Sequence, residues 1–489
     1  MSLTHRSKAL TLLVIVLAFF SGTSEAQNRN LDLVEDLTLS LDEAINIAMA
    51  NNPQLRRAVY SIDDADELVK IAYSEIYPDI SASMNYTRNV EIPVNFIPET
   101  FFDPQNGDPN KLVPVAFGTD NNWQGGFTVS QTLFRGETII GLSTSTIFKK
   151  VQEEAYRATA QQVVTQTRVA YYSVLVAMEQ LRLQESQISR LEQNLNENEK
   201  RQQAGLVDEY DVLRLKVQLS NQKPQLVDAQ YALEEAYRNL KVVLGISLGV
   251  EFEVEGQLNQ FDILSPDASV KENEKLKKID QINPFKFQKS YDDMYGLEFD
   301  RGDIRILDAQ LDLKDREITA VKSRFLPTIS ATYNMQWTAA DAGTPDFFQD
   351  KVRFQTLGLN VSLPLFTGFE RMANLQRTLI SKKDLEEQRR ATELNAQNEV
   401  VTAGEDINRT FETADARKMA LEQAREGYER AKKRFENGLG SQIEVTEAEV
   451  QVRQAEVNYA LMVYQYLAAK AQYDLATGKV PFVDAELIK

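Results

Sequence analysis

The sequence predicts an α+β membrane protein, in which a few β-strands contribute to a barrel shared between copies and very long α-helices form a coiled-coil tube. Three observations predict it. The chain opens on a secretory signal, four segments alternate apolar with small polar residues, and the stretches 137–204 and 371–437 contain no proline.

The N-terminus comes first. Arg6 and Lys8 precede an apolar run from Ala9 to Phe20, followed by Ser21-Gly22-Thr23-Ser24-Glu25-Ala26. A basic start, a short apolar core and small residues at Ser24 and Ala26 mark a cleavable signal, with Gln27 first in the mature chain. The run is too short for a spanning anchor, which needs roughly 20 apolar residues. The chain has no cysteine, so neither disulfides nor a lipid-modified N-terminal cysteine are expected. Its one histidine, His5, lies in the signal. A mature chain without His or Cys has no Ser-His-Asp or Cys-His site and no usual zinc ligand set. No catalytic residue, metal or cofactor is expected. The 54 Lys+Arg against 72 Asp+Glu become 52 against 71 once residues 1–26 are removed, a net charge of −19. That excess disfavours nucleic acid as a partner. No later segment is apolar enough for a spanning helix, so a membrane location requires a β-barrel.

An internal repeat organises the rest. Arg201-Gln-Gln-Ala-Gly205-Leu206 matches Arg434-Phe-Glu-Asn-Gly438-Leu439, and the offset of 233 holds to 242–246 and 475–479. Upstream, Gly126 to Gly136 matches Gly358 to Gly368, and Tyr77 to Ala82 matches Leu326 to Ala331. In the strand segments Ile80, Ala82, Met84 and Tyr86 oppose Asp79, Ser81, Ser83, Asn85 and Thr87. Ile329, Ala331, Tyr333, Met335 and Trp337 oppose Thr328, Ser330, Thr332, Asn334 and Gln336. Phe127, Val129 and Leu133 oppose Thr128, Ser130 and Thr132, and Leu357 to Leu365 oppose Gly358, Asn360 and Ser362. Alternation over about ten residues fits strands with lipid on one side and water on the other. It fits a half-buried soluble sheet as well, and the signal and the repeat favour lipid. Four strands cannot close a barrel, so several chains must share one.

The helices follow. At about 1.5 Å per residue, residues 137–204 and 371–437 would each reach roughly 100 Å. The second helix of each half has a 3-4 apolar spacing: Val212, Leu215, Leu219, Gln222, Leu226 and onward, and Val445, Ala448, Val452, Ala455, Tyr459 and onward. Gln222 interrupts the first seam, and Pro224 should bend that helix. Residues 88–122, with Pro93, Pro98, Pro104, Pro109 and Pro114, read as a long extracellular loop. Residues 338–352 read as a shorter one. The domain plan is then a signal (1–26), a first unit (27–246), an inserted periplasmic segment around the waist of the tube (247–302), a second unit (303–478) and a tail (479–489). The first unit carries strands near 79–88 and 124–134 and helices near 137–204 and 208–245. The second carries strands near 328–337 and 353–366 and helices near 370–437 and 441–477.

The opening Leu39-Ser40-Leu41-Asp42-Glu43-Ala44-Ile45 with Asn51-Asn52-Pro53, the segments ending Leu133-Phe134-Arg-Gly136 and Leu365-Phe366-Thr-Gly368, and the paired turns at Gly205-Leu206 and Gly438-Leu439 carry a resemblance. In this order and duplicated, they resemble the outer membrane efflux protein family of TolC-like channels across nearly all of the mature chain. The resemblance implies a homotrimer. Its twelve-stranded outer-membrane β-barrel, four strands per chain, would run into a long periplasmic α-helical coiled-coil barrel. It also implies a passive exit duct of a tripartite efflux or type I secretion system. Its partners would be outer-membrane lipid, a periplasmic membrane fusion (adaptor) protein, and an inner-membrane pump or ABC exporter. A periplasmic coiled-coil adaptor is the alternative, and it leaves the four strands unexplained. A carboxylate-only hydrolase would need a pocket and a positioned acid pair, which an elongated tube does not offer.

The family's acidic gate positions fall on Glu444 and Glu447, three apart and so on one helix face. Asp211, the repeat mate of Glu444, falls on a family position that helps latch the closed state. Three copies would place six carboxylates from Glu444 and Glu447 around a narrow hole, repelling one another and attracting cations. The family's latching arginine falls on Gly440, which cannot pair; Arg434, Lys433 and Lys432 lie nearby. The tips at Gly205, Leu206, Gly438 and Leu439 end helices. Their exposed leucines are expected to be buried on docking to the adaptor.

Overall fold

The computed structural model describes residues 38–258, 301–343 and 351–482. The signal, residues 259–300 of the inserted segment and the end of the tail lie outside the described residues. The chain runs β1 (Thr38–Leu39), α1 (Leu41–Asn51), α2 (Pro53–Ser74), β2 (Asp79–Arg88), β3 (Val94–Pro98), β4 (Leu112–Ala116) and β5 (Asn121–Phe134). It continues α3 (Gly136–Ser143), α4 (Ser145–Gln203), α5 (Glu209–Leu244), β6 (Glu253–Val254), α6 (Gly302–Ser323), β7 (Thr328–Asp341), β8 (Val352–Ser362), α7 (Glu370–Glu436) and α8 (Gln442–Ala476).

Local chemistry sets the starts and stops. Ser40 and Glu43 form a capping box: the Ser40 backbone N–H donates to Glu43 Oε2 at 2.9 Å, and the Glu43 N–H returns to Ser40 Oγ. These bonds to Ser40, backbone first, hold the Glu43 carboxyl below its ordinary range. At the α1–α2 junction Pro53 occupies the first turn, where a missing N–H costs nothing. Asn52 Oδ1 accepts from Gln54 N–H at 2.8 Å, while its Nδ2 donates to Val243 O at 2.7 Å. The Asn-Pro opening thus ties the first helices to the end of α5. There Gly245 adopts φ +70°, and a Cβ would lie 2.4 Å from Asn51 O, so only glycine fits.

The four long strands form one antiparallel sheet in the order β2-β5-β7-β8. Directly opposed residues share a face. Rows such as Ile80–Val129–Tyr333–Leu357 and Ala82–Phe127–Met335–Gln355 make one face largely apolar, and Ser81–Thr128–Asn334–Thr356 belongs to the polar face. Thr128 Oγ1 bonds Asn334 Oδ1 across it at 2.9 Å. Gly126 is forced, since a Cβ would meet Met335 O at 2.4 Å. A bulge between Thr132 and Phe134 places Phe134, not Leu133, opposite Ile329, so the simple period of two fails at Leu133. Both edge strands are exposed along their whole length.

Two further differences from the sequence expectation stand out. The helix expected over 137–204 is divided at Thr144, whose N–H turns back to Gly141 O. The loop 88–122 contains a hairpin, β3 against β4, which its prolines had masked. Pro224 sits inside a continuous α5. Gln222 is buried there and takes a bond from Gln184 Nε2 at 3.0 Å.

In the helical part α4 packs against α5, α6 and α8, and α7 against α6 and α8. The main core lies where α1, α4, α5 and α8 converge, around Leu39, Ala44, Tyr171, Leu175, Leu240, Leu244 and Val463. The first part of the inserted segment joins it: β6 pairs with β1, and Tyr171 Oη donates to the Leu39 and Glu255 carbonyls. Beside the core Arg168 Nη1 meets Asp474 Oδ2 at 2.6 Å, both side chains over nine-tenths buried. Among the described residues no helix is long and apolar enough to cross a membrane.

Candidate functional site

The lower ends of the two long hairpins carry the acidic residues singled out in the sequence. Each turn is built the same way. After α4, Leu206 N–H donates to Arg201 O at 2.9 Å and Gly205 takes φ +74°. After α7, Leu439 N–H donates to Arg434 O at 2.8 Å and Gly438 takes φ +72°. This pairing satisfies the last helical carbonyls and needs a residue free to be left-handed. It leaves Leu206 and Leu439 about three-quarters exposed. Each returning helix is capped at once. Asp208 Oδ1 accepts from Tyr210 N–H at 2.9 Å, and Ser441 Oγ from Glu444 N–H at 3.3 Å. Arg201 stacks over the Phe435 ring at 4.9 Å, joining the two tips.

Glu444 and Glu447 stand exposed in the first two turns of α8, and Asp211 is half-buried in the first turn of α5. Glu444 is not a lone charge. Its Oε2 lies 3.9 Å from Arg434 Nη2, and Arg434 also donates to Leu439 O at 3.2 Å. Gly440 makes room for this pair: a Cβ there would lie 3.2 Å from both Glu444 Oε2 and Arg434 Cβ. The position that cannot supply an arginine therefore lets one fold back from the preceding helix. Lys432 and Lys433 form no described ion pair with these acids.

A polar layer above the tip was not foreseen. Asn198 Nδ2 donates to Gln442 Oε1 at 3.2 Å, both buried, between α4 and α8. Two turns higher Glu449, 1 % exposed, meets Arg190 Nε at 3.2 Å. Burial pushes the Glu449 carboxyl up, and Arg190 and then Arg453 offset this only in part. Gln187 is fully buried. The sequence held a signal, since Gln184, Gln187, Asn194 and Asn198 recur at 3-4 and 7 spacing on α4. A search for apolar periodicity passes over it. Among the described residues no cluster of His, Cys, Asp or Glu is arranged to hold a metal.

The model of the outer membrane efflux protein family matches residues 44–246 and 300–479. The chain is 22 % identical to the outer membrane protein TolC of Salmonella enteritidis, covering 96 % of this chain and 86 % of that one. It is 19 % identical to the alkaline protease secretion protein AprF of Pseudomonas aeruginosa, over 92 % and 86 %. Its fold is similar to that of the CmeC outer membrane channel of Campylobacter jejuni, with a TM-score of 0.67 at 19 % identity, covering 94 % and 93 %.

Proposed function

Since the chain belongs to the outer membrane efflux protein family, and so is an outer-membrane exit channel, we propose that three copies close a twelve-stranded barrel above a coiled-coil tunnel. The tunnel's lower end is the gate. One observation carries the proposal. One face of the sheet carries apolar side chains from all four strands, as in the row Ile80–Val129–Tyr333–Leu357, yet β2 and β8 are open along 10 and 11 residues. Unpaired edges are untenable in lipid, and four strands are too few to curl closed. Because β2 and β8 are antiparallel, β8 of one copy can pair with β2 of the next without breaking the alternation of directions. The helices support the same assembly. Tyr210, Leu213, Val217, Val227 and Tyr231 form an exposed stripe on α5, at spacings a second helix would fill.

The repeated halves make each copy contribute two quasi-equivalent hairpins to the tunnel. Glu444 and Glu447 of three copies ring its narrow end, with Arg434 holding each Glu444 to its own hairpin and Asp211 on the neighbouring one. Leu206 and Leu439 meet the adaptor, and the pump or exporter behind it supplies the energy. The names of the relatives span efflux and protease secretion, so cargo selection belongs to that pump.

The test is the molar mass of the detergent-solubilised protein together with its planar-bilayer conductance. A trimer is expected, and Glu444→Gln with Glu447→Gln should lower its preference for cations. A folded monomer would sink the assembly. A trimer with unchanged selectivity would sink only the gate.

A further inference from the structure

The apolar face of the sheet carries two arginines that the exit-channel function does not use. Arg353 lies opposite Trp337, and Arg88 opposite Asn121, two residues beyond the Tyr86–Trp123 pair. Directly opposed residues share a face, so both arginines project from the side that holds Met84, Phe127 and Met335. Ring contacts fix that side independently: Tyr86 and Trp123 lie 4.6 Å apart, Phe127 and Trp337 6.0 Å. Both arginines are exposed, and among the described residues neither has a carboxylate partner. Asp341, across Asn121 and so about 10 Å from Arg88, accepts instead from Gly343 N–H.

The opposite end of the sheet, where the helices attach, is different. There Arg135 lies 3.7 Å from Glu75, and Arg324 2.6 Å from Glu137. Arg371 donates to Pro364 O at 2.6 Å and stacks on Phe325 at 4.9 Å. Arginines at the periplasmic border are satisfied within the chain. The two at the outer border are left to the surroundings.

Height decides what surrounds them. From Ile329 to Trp337 the strand rises about 27 Å, which a tilt near 40° reduces to about 20 Å. The row of Trp337 and Arg353 then lies close to the upper limit of a band about 25 Å tall, and Arg88 stands further out among headgroups. An arginine here can place its stem along apolar chains and its guanidinium on a phosphate.

We propose that Arg88 and Arg353, set among Tyr86, Trp123 and Trp337, form a binding surface for phosphate-bearing lipid headgroups of the outer leaflet. The proposal rests on the barrel, because it needs this face turned to lipid. Each guanidinium can give two parallel N–H bonds to a phosphate. The aromatic rings hold the adjoining glycerol or sugar region, where amphipathic rings settle.

The chain's two tryptophans, Trp123 and Trp337, both lie on this face, so their fluorescence reports on it. The full-length trimer would be reconstituted in phosphatidylcholine vesicles. Brominated phosphatidic acid or brominated phosphatidylcholine would then be added at equal mole fraction. The acidic lipid should quench more, with a preference of about fivefold for each arginine. Arg88→Gln with Arg353→Gln should remove the preference, Arg→Lys at both should keep most of it, and high salt should weaken it. Equal quenching by the two lipids would overturn the proposal, as would a preference that survives the double glutamine variant. Loss of the preference on adding inorganic phosphate, at an ionic strength where sodium chloride leaves it in place, would also overturn it, in favour of a free-anion site. If no brominated lipid quenches at all, the face is not turned to lipid and the barrel itself fails. Should the double variant not assemble, the lipid comparison and salt series on the unmutated protein decide.

Discussion

Arg168 and Asp474 show how much one residue can hold. Both are buried against the core, and removing Arg168 takes from the Asp474 carboxylate the guanidinium that meets it at 2.6 Å. Arg168→Ala should cost about 3–5 kcal/mol, read as a shift in the urea midpoint of the detergent-solubilised protein. Gly245→Ala should cost about 1–3 kcal/mol by the same measurement, because φ is positive and Asn51 O stands in the way. Glu449 gives a pH signature of definite sign. Its raised pKa means the folded chain holds this proton more tightly than the unfolded one. Stability from this group therefore grows as pH falls from above the raised value towards the ordinary 4.5, and levels off below it. Thermal midpoints against pH should show this acid-side gain, and Glu449→Gln should lack it. Equal slopes for the two proteins would show that burial of Glu449 does not govern the polar layer. At the tip, if Glu444 gates the proposed trimer, Arg434→Gln should leave its carboxylates less restrained, with more frequent openings in single-channel records. The exposed Arg434–Glu444 pair is worth less than about 1 kcal/mol, so the effect belongs in opening frequency rather than in unfolding.

At the level of elements, what the sequence revealed depended on which periodicity was strong. The four long strands were legible because Ile80 to Tyr86 and Ile329 to Trp337 alternate without a break. The bulge at Leu133 was not, since a bulge is an extra residue that alternation cannot register. The break at Thr144 was hidden because neither proline nor glycine occupies it, and only Gly141 nearby hinted at a weak point. In the tip, carrying over a family pattern drew attention to Gly440 as a lost arginine. The fold-back of Arg434 needed the three-dimensional turn to be seen. The polar layer was hidden because the apolar seams run along α5 and α8: Gln187 and Asn198 lie on α4, and Glu449 falls between the seam positions Ala448 and Val452. The stripe on α5 leads to a further expectation. Tyr231→Asp with Val227→Asp should shift the solubilised protein from trimer to monomer in light scattering while helical circular dichroism persists. A trimer of unchanged stability would remove this stripe from the interface.

On the scale of the whole molecule, the two hairpins are cut to one length. Gly205 and Gly245 bracket α5, Gly438 and Gly478 bracket α8, and all four are left-handed with φ between +70° and +74°. The spacing from turn to turn is the same in both halves, so the returning helices act as matched rulers between a waist and a mouth. A one-residue insertion in α5 alone would turn everything below it by about 100° and lower one tip by about 1.5 Å. In the trimer proposed above, three of six tips would then stand proud of the other three. Lengthening of the duct should therefore be tolerated only as matched insertions of whole heptads in both arms of both hairpins, α4 with α5 and α7 with α8. A chain of this build can change its reach across the periplasm in coarse, synchronised steps, and cannot drift through the lengths between them.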